Sequence, residues 1–303
     1  MTGATGFVGG RLASVLAGAG WGVRCMVRDP SGGRARELAA RGFTLHEGDV
    51  LRAETLEGAG AGVDVAYYLI HSMGRGGGGG DFAASESAAA EAFARMARAE
   101  GVGKVVYLGG LGDRPESRHL RSRHATAVAL AEHGPPLTYF RAGMVVGARS
   151  ESYRTLRYLV QRLPAMIAPA WLKNPTQPIA IDDVLRYLME APSVEGATGT
   201  EVQIGGPDVL TYGEMLDRMA AALGLRRRPR VPVPLLTPRL SSLWIGLVTP
   251  VDAGVARPLV EGLGVPTVVT DTRAAELFGV EPVGFDEALR RAIADDPEVR
   301  APR

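Results

Sequence analysis

Cysteine is almost absent from this 303-residue sequence: Cys25 stands alone, inside a run that reads as a buried strand. No disulfide can form within the chain, and a cytoplasmic location is expected. Lysine occurs only at Lys104 and Lys173, a shortage that fits GC-rich coding better than any special arginine chemistry. Charge of one sign is lacking too. The net charge is +1, so no field draws the chain to nucleic acid or to an anionic membrane. The five histidines are scattered and no spacing resembles a metal site. Long apolar runs are missing: the nearest, residues 240–248, is too short to span a bilayer and is bracketed by Pro238 and Pro250. No signal peptide is visible, because functional sequence begins at the second residue.

What the chain does have is glycine, and some of it is placed. Residues 2–10 read TGATGFVGG, with Gly3, Gly6 and Gly9 at a three-residue spacing and an apolar helical stretch, 7–16, directly after. Glycines at such spacing let a backbone turn tightly, approach a pyrophosphate and seat the helix against a sheet. The helix N-terminus then offers free N–H groups and partial positive charge to an anion. Gly3, Thr5, Gly6, Phe7, Val8 and Gly9 are therefore the candidate diphosphate-binding residues. A lone glycine pattern is weak evidence, but the context supports it. Short apolar runs at 21–28, 43–47, 63–70, 104–108 and 137–141 read as strands, separated by helical stretches at 34–41, 82–100 and 117–133. This alternation predicts an α/β fold, a doubly wound parallel Rossmann sheet covered on both faces.

The strand that should precede the glycine turn has almost no residues. In a doubly wound sheet that strand is central, and its loss would leave two rows of unpaired backbone groups costing about 1–3 kcal/mol each. The first strand is thus expected to be truncated, with a natural start upstream and Met1 an internal methionine.

The motifs resemble the atypical, extended branch of the short-chain dehydrogenase/reductase superfamily. TGATGFVGG is similar to its cofactor turn. GDV at 48–50 is similar to its adenine contact, which implies that role for Asp49 and Val50. VDVAYYLIHSMG at 63–74 is similar to the strand and loop under the adenosine ribose, which implies Leu69, Ile70 and His71. RAGMVVG at 141–147 and QPIAIDDV at 177–184 are similar to the segments that flank nicotinamide and close the extended fold. The nearest subgroup by resemblance is the NAD(P)H-binding proteins akin to NmrA-like regulators and to the large accessory subunit of respiratory complex I.

Arg28 occupies the end of the second strand, where an acidic residue would accept a ribose 2′-OH. A guanidinium there favours a 2′-phosphate, so NADP is favoured over NAD. Arg11 is a second candidate for that phosphate, and Asp29 keeps NAD in play. The family's catalytic serine and Tyr-x-x-x-Lys are not matched. Glycines at 109, 110 and 112 follow the fifth strand, and His119 and Arg123 align with the tyrosine and lysine. Arg123 would hold a ribose hydroxyl or phosphate. It would also depress the pKa of His119, leaving a poor acid. Ser117 reads as a helix N-cap, Tyr107 as core, and His71 with Ser72 as a crevice-edge pair.

A Rossmann domain is expected over 1–150 and a smaller lobe over 151–303, with helices at 153–162, 182–190 (capped by Asp182) and 211–223 (Thr211–Glu214 capping box) and a strand at Glu201–Ile204. Helices at 271–278 and 285–293 end the chain. Arg154, Arg157, Trp171 and Lys173 are candidate pocket residues, read more readily as surface charges and a core indole. Residues 235–248 suit core packing, a homodimer or a protein partner. The glycine run 76–80 reads as a flexible insertion or a flap. Two functions remain open: an NAD(P)-dependent oxidoreductase or isomerase on a small, apolar carbonyl compound, and a non-catalytic NAD(P)H sensor or accessory protein.

Overall fold

The computed structural model describes residues 1–70, 82–112, 118–232 and 264–300. The glycine run, His71, Ser72, Ser117 and the 235–248 segment lie outside the described residues, and so do the side chains of Arg118 and His119.

Strands β1 (Arg24–Val27) and β2 (Thr44–Glu47) pair in parallel, as do β3 (Val65–Tyr68), β4 (Lys104–Gly110), β5 (Leu137–Ala142) and β6 (Glu201–Ile204) in the order β3-β4-β5-β6. Between the two groups lies the position of the first strand, filled by Met1 and Thr2 alone. The Met1 ammonium donates to the Arg24 carbonyl at 2.8 Å and its own carbonyl accepts from the Met26 amide at 2.8 Å. Thr2 donates its amide to Tyr67 at 2.9 Å, and its hydroxyl accepts from the Leu69 amide at 3.0 Å. Two residues and one side chain thus join the groups into a single layer. Glu201–Ile204, expected in the smaller lobe, instead extends this main sheet beside β5.

Alternation along each strand sends side chains to opposite faces. Tyr67, Val106 and Phe140 meet α1 (Phe7–Gly18) and α6 (Ile181–Glu190) in one core. Tyr68, Val105, Tyr107 and Tyr139 meet α3 (Phe82–Ala99) and α4 (Arg118–His133) in the other. Helix α2 (Gly33–Ala40) packs Ala35 and Leu38 with Cys25 and Ala13 on the α1 side. This is the doubly wound arrangement.

The smaller α/β lobe has its own core. Helices α5 (Glu151–Arg162), α7 (Tyr212–Ala222) and α8 (Phe285–Asp295) enclose Tyr153, Leu159, Met215, Met219 and Leu289 with Trp171 and Tyr212, the last two edge-on at 6.0 Å. The capping box at Thr211 forms: the hydroxyl accepts from the Glu214 amide at 3.1 Å and Glu214 Oε2 accepts from the Thr211 amide at 2.8 Å. Thr211→Ala should cost about 1 kcal/mol in a urea titration. Asp182 does not cap α6. The N-cap is Ala180, which makes no side-chain cap, and Asp182 lies in the first turn, where its charge still suits the helix dipole.

Candidate functional site

The glycine turn is packed so tightly that side chains have no place in it. Gly3 adopts φ +65°, and a Cβ there would lie 2.6 Å from the Leu69 carbonyl oxygen. A Cβ on Gly9 would lie 2.3 Å from the Gly3 oxygen, and one on Gly6 3.0 Å from that same atom. The turn closes through the Gly6 amide on the Gly3 carbonyl at 2.9 Å. Gly6 then caps α1 with no side chain, the first turn of α1 holds no acidic residue, and the Phe7, Val8 and Gly9 amides have no partner among the described residues. Thr5 and Gly6 are exposed and Phe7 and Val8 half-buried. The result is a bare, solvent-facing helix N-terminus, which suits a diphosphate. The Phe7 ring seals one side: a Cβ on Gly147 would meet it at 2.8 Å.

At the end of β1, Arg28 is exposed and makes no hydrogen bond or ion pair among the described residues. Asp29 is engaged. Its Oδ1 accepts from the Ser31 hydroxyl at 2.6 Å and the Ser31 amide at 2.8 Å, and these bonds hold its carboxyl below the usual carboxylate range. Arg34, at the start of α2, donates to the Thr5 carbonyl at 3.1 Å and so stands over the glycine turn. Sequence reading passed it over as one of many helix arginines. Its signal was position: the first turn of α2 returns toward the turn that precedes α1. Arg11 donates to the Phe7 carbonyl at 3.3 Å, lies 4.5 Å over the Phe7 ring, and has Arg149, Asp295 and Asp182 as charged neighbours. Burial, then Arg149, pull its pKa down.

Asp49 sits in the loop after β2. It accepts from the Leu51 amide at 3.1 Å, and its own amide donates to Thr55 Oγ1 at 2.8 Å. Val50 is buried in the α3-side core. Leu69 touches the glycine turn at Gly3, and Ile70 follows half-buried. The structure therefore brings Gly3, Gly9 and Leu69 into contact, sets Arg34 on Thr5, and leaves Arg28 and Asp49 at the ends of β1 and β2.

The end of β4 packs against α4. A Cβ on Gly110 would meet Leu120 at 3.2 Å and Arg123 Cδ at 3.7 Å; one on Gly112 would meet Leu120 at 2.7 Å. Leu120, which sequence reading did not single out, fills the room that the glycines leave. Arg123 donates through Nη1 to the Leu108 carbonyl at 3.3 Å. The Tyr107 hydroxyl points into the core and donates to the Arg123 carbonyl at 3.3 Å, and burial pushes its pKa up. In the smaller lobe Arg157 is buried against Asp296, Trp171 is core, and Arg154 pairs with Glu151; only Lys173 is exposed. Among the described residues no group of His, Cys, Asp and Glu could hold a metal, and no helix is long and apolar enough to cross a membrane.

Residues 3–142 match the NAD(P)H-binding family. No curated protein matches the sequence. Among solved structures, the chain is similar to the Citrobacter triphenylmethane reductase complexed with NADP(H), at 17% identity and TM-score 0.72, covering 96% of this chain and 98% of that one. It is similar to the Escherichia coli NADPH-dependent quinone oxidoreductase, at 19% identity and TM-score 0.73, covering 95% and 97%. A nucleoside-diphosphate-sugar epimerase from Staphylococcus aureus aligns at 15% identity and TM-score 0.75, covering 95% and 98%. At these identities the likeness is one of fold.

Proposed function

We propose, from the premise that residues 3–142 are an NAD(P)H-binding domain, that the protein is an NADPH-dependent oxidoreductase acting on a small, apolar carbonyl compound. The carrying observation is the cradle at α1, where backbone occupies every space a side chain would need at Gly3 and Gly9. NADPH supplies a hydride at its nicotinamide ring when bound. The amides of Phe7, Val8 and Gly9 would hold its diphosphate, with Thr5 and Gly6 exposed beside them. Asp49 and Val50 would bracket the adenine, and Leu69, Ile70 and His71 would run under the ribose. Arg123, near the end of β4, would hold the second ribose.

Preference for NADP is supported by three charges. Among the described residues Arg28 has no partner, Arg34 is tethered to the turn, and the Asp29 carboxylate is bound to Ser31. A charge-assisted contact is worth about 1.5–3 kcal/mol, or about 10–100-fold in affinity. Arg28→Ala and Arg34→Ala should each weaken NADPH binding by such a factor in calorimetry while NADH binding holds. Equal losses for both nucleotides would refute 2′-phosphate recognition.

A non-catalytic NAD(P)H sensor is the second reading, favoured by Leu120 lying where a side chain at position 110 or 112 would project. Stopped-flow measurement of NADPH oxidation against a panel of carbonyl compounds separates the two. Tight binding with no oxidation of any acceptor would leave only the sensor.

A further inference from the structure

A basic run, Arg226, Arg227, Arg228 and Arg230, follows the end of α7. In the sequence such a run reads as a solvated loop. In the fold it is held in place. Arg228 donates through Nε to the Val160 carbonyl at 2.9 Å, in the last turn of α5, where a cation suits the helix dipole. Arg230–Pro232 pairs in parallel with Met166–Ala168, and the Pro229 carbonyl accepts from the Met166 amide at 2.8 Å. The Arg230 guanidinium lies on the backbone of Gly213, where a Cβ would meet its Nη1 at 3.0 Å. Its Nε is buried with no hydrogen-bond partner among the described residues. Arg227, Arg228, Pro229 and Arg230 line one cleft of about 310 Å³.

The charges around this cleft do not balance. Among the described residues Asp217 is the one carboxylate paired with them. It holds Arg230 at 2.6 Å on one oxygen and Arg227 at 2.9 Å on the other. Glu214 also feels Arg230, but its carboxylate is bound to the Thr211 amide and hydroxyl. Arg226 is exposed and pairs with no carboxylate among the described residues. Guanidiniums held this close repel one another, and a multiply charged anion offsets that repulsion. Their planar forks match phosphate oxygens. The volume stands at the small end of the range for ligand clefts, about 300–1,000 Å³, which suits one or two phosphate groups.

We propose that this cleft on the smaller lobe is a second anion site, apart from the glycine turn, that takes a phosphate or diphosphate group. A soluble phosphate ester and a lipid headgroup present it with the same oxygens, and the test tells them apart. The probe is inorganic pyrophosphate, titrated by calorimetry with NADPH present so that the glycine turn is filled. One saturable site is expected. Arg226→Gln with Arg227→Gln removes two exposed charges and should weaken it about 10–100-fold, the worth of a charge-assisted contact. Arg95→Gln with Arg290→Gln makes the same change in net charge at two other exposed ion pairs and should leave the affinity unchanged. Pyrophosphate should raise the melting temperature of the unaltered chain, and less so that of the Arg226→Gln, Arg227→Gln chain. Circular dichroism should be the same for all. Added sedimentation with phosphatidylserine vesicles, absent with phosphatidylcholine and lost with the Arg226 and Arg227 substitutions, would assign the headgroup. Pyrophosphate binding without sedimentation would assign a soluble phosphate ester. No saturable pyrophosphate binding, or an affinity that the Arg226 and Arg227 substitutions lower no more than the control pair does, would overturn the site and leave the cofactor reading standing.

Discussion

Gly9→Ala should bind NADPH about 10–100-fold more weakly and lose about 1–3 kcal/mol of stability, the usual cost of overpacking. The neighbours of the added methyl decide this. They are the Gly3 oxygen at 2.3 Å, the Gly3 carbon at 2.8 Å and the Ala4 Cα at 3.1 Å, all backbone. No rotamer relieves such a clash, so α1 must move off the turn. The turn cannot follow, because Gly3 is itself pressed on the Leu69 carbonyl at a left-handed φ. The N–H groups of α1 would then lose their aim at the diphosphate. Gly18→Ala is the internal control. It lies in the same helix with nothing within 4 Å of its Cβ position, so it should stabilise the protein by about 0.5–1 kcal/mol and leave the cofactor dissociation constant alone. Calorimetry with NADPH and thermal melting of both variants give the answer. An unchanged dissociation constant for Gly9→Ala would remove the turn as the cofactor seat.

The glycine turn was readable because its cause is local: three glycines and a following helix carry the whole argument. The sheet strands were readable for the same reason, since Val105 and Val106 or Phe140 and Tyr139 need only alternate. Residues whose roles depend on distant partners were not readable. β6 joins the main sheet because Glu201–Ile204 meets β5, and nothing in those four residues distinguishes that edge from one in the smaller lobe. Asp29 and Arg28 are neighbours in sequence, yet only the fold shows that Ser31 has engaged the carboxylate while the guanidinium has no partner among the described residues. For Arg11, which the sequence places in the first turns of α1, only the fold shows that the side chain turns back onto Phe7 with Arg149, Asp295 and Asp182 as charged neighbours. The glycines at the end of β4 were plain in the sequence, but the side chain that packs over them, Leu120, was visible only once α4 had been set on β4.

Arg157→Ala should cost about 3–5 kcal/mol, the loss expected when one partner of a buried ion pair is removed, against a total stability of about 5–15 kcal/mol for a typical domain. In the sequence Arg157 reads as a charge on an amphipathic helix, fit for solvent or a substrate pocket. In the fold its side chain is 3% exposed, 3.2 Å from an Asp296 carboxylate that is itself 3% exposed, and Glu298 closes over it. Removing the guanidinium leaves Asp296 buried without its counter-charge. Removing Asp296 is gentler, because Arg157 keeps Glu298, so Asp296→Ala should lose less than Arg157→Ala. Replacing both, as Arg157→Met with Asp296→Leu, should recover most of the loss, since an apolar pair of similar volume needs no compensation for desolvation. Urea titrations at constant m report these differences, and NADPH affinity of the folded variants should not move. A loss below about 1 kcal/mol for Arg157→Ala, the range of exposed pairs, together with a raised KM for the acceptor, would return Arg157 to the substrate pocket and take the buried pair out of the fold's support.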